Sequence, residues 1–523
     1  MKANKENLTQ DVGKISSGTF LSRVSGLIRD IFLTHFLGAT AIADSFGVAF
    51  VIPNMLRGLF GEGSLAAAFI PTYTEIKETR SKEEAVAFAL NLLSILVLIL
   101  IGLVLLGLLL TPYIIRIMAP GFSAEVQELT IHLTRILFPY LFLIGLTSSI
   151  IAILNAHKIF FFPSLSPLML NIGIILPILF ISFFTHTDIV YRAYLFAGGV
   201  ILGGIFQLLM NIHLLKNIGY TLKFKVNFKQ KELKGVWNRM IPGILSLGIR
   251  EVNVVIDTLL ASLLITGSVA ALQYGNRLMQ LPLGVFGVAI GAAVLPMFSR
   301  QTAHKKPDEL IRSIQEAFQM IMIIMMPIIA LILVVGKDAI ALVFLHGAFD
   351  QTALIMTYSA LAFYSIGLIS HSSVKIFASA FFALKNTKTP MIIAGIAVVC
   401  NIILNLILMK LLQLRGLALA TSIAATLQAT ILFFTLQVKI GRISFRKIGV
   451  TFVKVVVLSV IVGLAAYYLN VFSHHYMPVA RVYIFIKLLI IFTVSMVLYL
   501  FGLKLLNVTD LQKIKQSIFR KNK

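Results

Sequence analysis

Residues Leu92–Leu110 read LLSILVLILIGLVLLGLLL, nineteen positions without one charged side chain. At 1.5 Å of rise per residue a helix of that length covers about 29 Å, close to the hydrocarbon thickness of a bilayer. A spanning segment must satisfy its own backbone, and the alternating ten-residue pattern of barrel strands is absent from the sequence, so the run reads as a helix. Val482–Leu503 is a second run of the same kind. Of 523 residues, 58% are hydrophobic and only 13% charged. With a mean hydropathy of +0.94, this lies well above the apolar share of soluble domains. These features predict an all-α polytopic membrane protein.

Outward from Leu92, about fourteen spans are expected, near 15–37, 44–75, 86–112, 129–153, 163–185, 191–215, 237–265, 273–300, 310–335, 351–383, 389–410, 416–438, 448–469 and 481–506. The polar opening MKANKENLTQDVGK leads straight into the first of them. No cleavable signal peptide is expected, and the first helix serves as the insertion signal. A single cysteine, Cys400, excludes an intrachain disulfide and a cysteine-rich metal site.

A formal charge of +24 raises the question of nucleic acid, and the placement of the charges answers it. Basic residues gather in the even-numbered links: Lys216, Lys223, Lys225, Lys229, Lys231 and Lys234 after span six; Arg300, Lys305 and Lys306 after span eight; Lys439, Arg442, Arg446 and Lys447 after span twelve. The tail adds Lys513, Lys515, Arg520, Lys521 and Lys523, whereas Thr266–Leu272, after span seven, has no charge and the link after span thirteen has only Arg481. This is the positive-inside pattern, with both termini cytoplasmic. The excess charge therefore reads as topology and contact with anionic membrane lipids; no nucleic-acid partner is expected.

Three landmarks recur in order along the chain. Phe60-Gly61 returns as Phe286-Gly287, Pro71 as Pro296, and Gly145 of YLFLIGL as Gly367 of YSIGL, at offsets of 226, 225 and 222 residues. Six crossings return a chain to the same side, so the halves are expected to be parallel repeats: two six-helix lobes around a central cavity, with two further helices outside the repeat. The corresponding domains are an N-lobe over 1–225, a C-lobe over 226–440, a helix pair over 441–506 and a basic tail over 507–523.

Permanent charge inside the early spans points to the site. Arg23 and Arg29 lie in the first, and Arg57 lies in the second beside Pro53, Gly58, Gly61, Glu62 and Gly63, a cluster that reads as a hinge and cavity wall. An arginine at the bilayer centre costs roughly 2.5–3.5 kcal/mol on insertion scales, so it faces a protein-lined or watery space. Arg277 in YGNRLMQLP supplies a counterpart from span eight, with no acidic residue within ten positions of sequence. Four guanidinium groups directed at one cavity suit an anion, because the planar fork pairs bidentately with phosphate oxygens. The competing reading is interhelical ion pairing with Asp30, Asp44 or Glu62, and Arg29 is the first candidate for it because Asp30 is its neighbour.

Asp257 in span seven, Asn401 and Asn405 on one face of span eleven, and Thr421 in span twelve offer one carboxylate and several neutral oxygens, a candidate sodium site. The same groups also suit hydrogen bonding across helices. Lys375 in span ten faces the cavity or snorkels to an edge. Enzyme signatures are missing from the sequence: there is no Asp-x-Asp pair, no Gly-x-Ser-x-Gly and no phosphate loop, and His474-His475 lacks ligand spacing. A transporter is expected, without a resident cofactor.

The string TFLSRVSGLIRD…LGATAIADSFGVAFVIPNMLRGLFGEGSLAAAFIP from Thr19, together with MAPGF (118–122), YGNRLMQLPLGVFGVAIGAAVLP (274–296) and VKIFASAFFALKNTKTP (374–390), closely resembles the bacterial lipid II flippases, the MurJ or MviN family of the MOP transporter superfamily. The resemblance runs over essentially the whole chain. It implies a fourteen-helix inner-membrane carrier that moves the undecaprenyl-pyrophosphate-linked peptidoglycan precursor from the cytoplasmic to the outer leaflet by alternating access. It implies that Arg23, Arg29, Arg57 and Arg277 are the cavity arginines, and that Asp44 and Glu62 are its acidic positions. A coupling cation, Na+ or H+, would use Asp257, Asn401, Asn405 and Thr421, and the two extra helices would form a groove for the lipid tail. Lipid II is the implied partner, with the cell-wall synthesis machinery a further candidate. Where some members have aspartate and glutamate around the span-eight arginine, this chain has Asn276 and Gln280. Another MOP-type carrier, for a polysaccharide lipid or a drug, is the alternative; an exporter of organic cations would want an acidic cavity.

Overall fold

The structure is a computed structural model that describes residues 21–61, 64–182, 188–221, 223–476 and 480–508; within these, only the backbone is described at 56–61, 64, 66–67, 181–182, 242–247, 249–250, 445 and 474–476. The described residues are all-helical with connecting turns. Two compact units emerge, one of Met1–Ala270 with His346–Phe349, the other of Ala271–Leu345 with Asp350–Lys523.

The first unit runs through residues 21–37 (α1), Ala41–Gly61 (α2), Ser64–Thr79 (α3), Lys82–Met118 (α4), Ala124–Leu137 (α5), Pro139–Ala156 (α6), Phe161–Ser164 (α7), Ser166–Ser182 (α8), Ile189–Asn217 (α9) and Lys231–Ser262 (α10). The break between α5 and α6 falls where Pro139, with no N–H to donate, occupies the first turn of the new helix. The closest helix crossing here is α8 on α9. A methyl group on Gly173 would stand 2.2 Å from the backbone of Gly203, and one on Gly203 2.6 Å from the carbonyl of Leu170. Small residues of this kind let two backbones touch where lipid supplies no hydrophobic drive for association.

Helix α10, which the repeat gives to the second lobe, packs on α2, α3 and α4. Polar side chains fasten its start: Arg80 pairs with Glu232 at 2.7 Å, Arg239 donates to Thr72 Oγ1 at 3.0 Å, and Asn91 donates to the carbonyl of Asn227 at 3.0 Å. The contact boundary therefore lies after Ala270, one helix beyond the expected lobe boundary at 225.

The second unit holds Ser268–Pro282 (α11, whose first residues belong to the first unit), a π-helical turn Leu283–Gly287, Val288–Ala303 (α12), Pro307–Phe344 (α13), Gln351–Ile366 (α14), Leu368–Ala383 (α15), Lys388–Leu412 (α16), Leu414–Ile440 (α17), Phe445–Tyr476 (α18) and Arg481–Leu505 (α19). Helices α14 and α15 meet at Gly367 with a 44° bend. A side chain at Gly367 would collide with Ser422 of α17, whose hydroxyl donates to the carbonyl of Phe363 at 2.7 Å and so occupies the bend. Helices α18 and α19 rest on α13 through Ile323, Val455, Leu458, Val462, Tyr499 and Leu503. Two polar ties reinforce them: Tyr499 OH donates to the carbonyl of Ile323 at 2.6 Å, and Lys487 Nζ stands 2.9 Å from Asp338 Oδ2.

The described residues of each of the fourteen expected spans are helical over most of their length. Among the described residues nine helices are long and apolar enough to cross a membrane, or ten with the bent α14–α15 pair as one span. Helices such as α10 fall outside that count because Arg239, Arg250, Glu251 and Asp257 lie along them. The π-helical turn ends at Gly287, so the second copy of the recurring Phe-Gly landmark closes an irregular turn; at the first copy, Phe60-Gly61, α2 runs to the edge of the described residues.

Candidate functional site

Helix α1 carries the first two arginines. Arg23 is exposed. Arg29 is held: its Nε and one terminal nitrogen donate to Asp30 Oδ1 at 3.1 and 2.9 Å, and its other terminal nitrogen donates to Asn171 Oδ1 of α8 at 3.1 Å. Asn171 is buried and spends its own N–H on Ser25 Oγ at 2.7 Å, so both ends of one amide tie α8 to α1. The expected Arg29–Asp30 pair is present, and the guanidinium is aimed by a third residue that sequence alone does not reveal. Arg57 and Gly58 lie on α2 where only the backbone is described, and Glu62 and Gly63 lie outside the described residues.

Asp44, 3% exposed, sits in the first turn of α2. Its two oxygens accept from the backbone amides of Gly267, at 2.6 Å, and Ala270, at 2.8 Å. A carboxylate on the unfilled N–H groups at the start of α11 is the arrangement a helix N-terminus favours. Sequence placed Asp44 among the groups supporting a cationic cavity; its carboxyl oxygens cap the start of α11.

Three left-handed glycines surround the same turn. Gly38, Gly267 and Gly347 have φ of 61°, 88° and 61°. A methyl group on any of them would stand 2.2 Å from a carbonyl oxygen, of Ala348, Ala39 and His35 respectively. Ala348 N donates to the carbonyl of His35 at 2.8 Å, and the His35 and His346 rings face each other with Nδ1 atoms 3.1 Å apart. Residues 35–44, 267–270 and 346–349 thus interlock through backbone, which only glycine permits at those positions.

In the second unit Arg277 is half-buried on α11, one turn ahead of the π-helical turn. The Gln280 amide donates to Asn276 Oδ1 at 2.6 Å, so the two polar residues flanking Arg277 bond to each other. Lys375 is exposed on α15, with its Cβ 3.0 Å from where a methyl group on Gly291 would lie.

Of the candidate cation ligands, three meet. Asn405 donates to Asn401 Oδ1 at 2.9 Å, and Asn401 reaches Thr421 Oγ1 at 3.5 Å. Asp257 is in the other unit, where it accepts from Asn253 at 2.9 Å. Among the described residues no group of three or more His, Cys, Asp or Glu has the geometry of a metal site.

A protein-family model, lipid II flippase MurJ, matches residues 33–503. The chain belongs to the lipid II flippase MurJ family. A probable lipid II flippase MurJ from Buchnera aphidicola subsp. Schizaphis graminum (strain Sg) is 32% identical over 515 residues, 96% of this chain and 99% of that one. Among solved structures, a lipid II flippase MurJ in an inward closed conformation superposes with a TM-score of 0.78 at 28% identity, covering 93% of this chain and 97% of the other. A multidrug resistance MATE transporter of the MOP superfamily, in an inward-facing conformation, reaches 0.70 at 18% identity over 80% and 94% of the two chains, which shows a shared fold. The family lies within the MOP transporter superfamily, and its members are multi-pass membrane transporters rather than enzymes.

Sequence reasoning found the basic residues and missed what positions them. Asn171 gives no signal in sequence beyond a polar residue in an apolar span. The three glycines were readable as glycines in links that follow odd-numbered spans; that they interlock was not.

Proposed function

We propose that this chain carries lipid II, the undecaprenyl-pyrophosphate-linked disaccharide-pentapeptide, from the inner to the outer leaflet of the bacterial cytoplasmic membrane. The observation that carries the reading is the family match over residues 33–503, nearly the whole helical part of the chain. Arg23, Arg29, Arg57 and Arg277 hold the pyrophosphate, the polyprenyl chain stays in lipid along α18 and α19, and the two repeats rock to alternate access. Arg29 supports this assignment because Asp30 and Asn171 fix the direction of its guanidinium before any substrate arrives. A preset donor costs less ordering entropy on binding. On this reading both termini are cytoplasmic, which the distribution of lysine and arginine supports.

A cation entering down the membrane potential, which supplies about 2.3 kcal/mol per charge per 100 mV, drives the return step. Asp257, Asn401, Asn405 and Thr421 are its ligands.

Rescue of a strain depleted of its own flippase tests the reading. Arg23→Ala, Arg57→Ala and Arg277→Ala are each expected to abolish rescue while the protein is still made and inserted; normal rescue by all three would sink the substrate role. Transport that ignores both Asp257→Asn and the removal of sodium would remove the sodium site.

A further inference from the structure

The link between α9 and α10 reads KFKVNFK over residues 223–229, two phenylalanines and a valine interleaved with lysine and asparagine. Phe224 is 66% and Phe228 69% exposed, although both are large and apolar. Lys223, Lys225 and Lys229 are exposed beside them, and among the described residues none of the three has a carboxylate partner. Aromatic rings interleaved with one sign of charge are what a membrane–water interface selects.

Two buried polar side chains of α4 hold the segment in place. The Asn91 amide accepts from the Asn227 N–H at 2.7 Å and donates to the Asn227 carbonyl at 3.0 Å, as a neighbouring strand would. Ser94 Oγ accepts from the Lys225 N–H at 3.1 Å, and Val226 packs on the apolar core of α3, α4 and α10. These contacts set a depth. Asn91 stands immediately before the uncharged run Leu92–Leu110 and Ser94 within it, so the backbone of residues 225–227 lies level with the start of the hydrocarbon. Glu83 lies about 12 Å further out along the same helix, at 1.5 Å per residue.

We propose that residues 223–229 form an interfacial anchor for the start of α10. Phe224 and Phe228 enter the bilayer at the edge of its hydrocarbon, and the ammonium groups of Lys223, Lys225 and Lys229 lie among the phosphates of anionic lipids. By sequence the lysines of this link face the membrane surface; the pin on α4 and the two rings make the link an inserted element of fixed depth. Burial of apolar area and attraction to anionic headgroups act together in such elements. Lipid therefore holds the start of α10 alongside the Arg80–Glu232 pair. The leaflet is the cytoplasmic one on the topology proposed above.

Fluorescence quenching of the full chain in vesicles tests the anchor. Trp237 is the only tryptophan, so Phe228→Trp and, as a reference further out on α4, Glu83→Trp each give one fluorophore in a Trp237→Phe background. The vesicles are dioleoyl phosphatidylcholine with or without dioleoyl phosphatidylglycerol, and carry lipid brominated near the top of the acyl chain. With phosphatidylglycerol present, the Phe228→Trp fluorophore should emit at shorter wavelength and lose severalfold more intensity to bromolipid than the Glu83→Trp one, which acrylamide in the water should quench instead. Omitting phosphatidylglycerol, or combining Lys223→Gln, Lys225→Gln and Lys229→Gln, should lessen the bromolipid quenching. Equal quenching at the two positions overturns the anchor, and quenching indifferent to both changes overturns the role of the lysines. A fluorophore open to acrylamide in vesicles yet shielded from it in native membranes would assign the surface to a protein partner and overturn the lipid assignment. Should Trp237→Phe fail to fold, bimane attached to Phe228→Cys in a Cys400→Ser background reads the same depth. The quenching reports depth and not leaflet, so its failure is separable from a failure of the proposed topology.

Discussion

Two basic residues sit at membrane depth beside a carboxylate, and their partners come from different distances. Arg29 pairs with Asp30, the next residue in the chain, while Lys487 of α19 pairs with Asp338 of α13, 149 residues away. The first pair forms between neighbours in sequence, and Asn171 links it to α8. The second pair is itself a tie, because it joins α19 to α13. A local pair can thus be present for the sake of the cation it aims, whereas a long-range pair holds the fold.

The largest test breaks the long-range pair. Lys487→Met removes the 2.9 Å ion pair with Asp338, and breaking a buried pair of this kind costs about 3–5 kcal/mol; thermal unfolding in detergent should show it. The double variant Lys487→Met with Asp338→Leu should regain most of the loss, since two apolar groups leave no charge to neutralise. A double variant as unstable as the single one would mean that shape rather than charge governs the site. Asn171→Leu should cost less, about 1–3 kcal/mol for the buried groups it leaves unsatisfied. It should also weaken rescue of a flippase-depleted strain, because Arg29 keeps its charge and its bonds to Asp30 but loses the contact that sets it against α8. Full rescue would place the importance of Arg29 in its charge alone.

A third kind of tie uses backbone. Gly347→Ala puts a methyl group against the carbonyl of His35 at a left-handed φ, and it should destabilise the first unit by about 1–2 kcal/mol from backbone conformation alone. The collision adds to that. Protease sensitivity of the turn at residues 35–40 reports the effect, and an unchanged cleavage rate would count against the interlock.

The smallest effect concerns His157, in the link after α6. Its Nε2 lies 2.8 Å from Tyr73 OH and 3.1 Å from Tyr220 OH. Burial, with Lys77 and Lys82 nearby, holds its pKa below the usual 6.5. The neutral ring is the folded form, so the stability it contributes is complete above pH 6.5 and is lost as pH falls through the lowered value. The melting temperature should fall slightly on going from pH 7 to pH 5, and His157→Phe should flatten that part of the curve.

Sequence disclosed the fold through its crudest property, the length and number of apolar runs, because backbone satisfaction in lipid leaves few alternatives. It did not disclose the breaks at Pro139 and Gly367, which divide the fourth and tenth spans. The basic residues of the candidate site were visible for the same reason, as costly exceptions to an apolar background. Their partners were not. Asn171, Asp338 and His346 reach their contacts across well over a hundred residues, and a single polar residue in a span carries no mark of which neighbour it meets. That Asp44 accepts from the backbone amides of Gly267 and Ala270, more than two hundred residues on, was equally invisible.

His346–Phe349 belongs to the first unit although the chain has by then built three helices of the second. The order of synthesis follows from that numbering. When Ala270 has left the ribosome the first unit still lacks the strap that closes against His35, and it acquires it only after α11, α12 and α13 have been made. Domains as a rule complete themselves from the N-terminus onward during translation; this one waits for a later part of its own message, so the two halves of the transporter mature together.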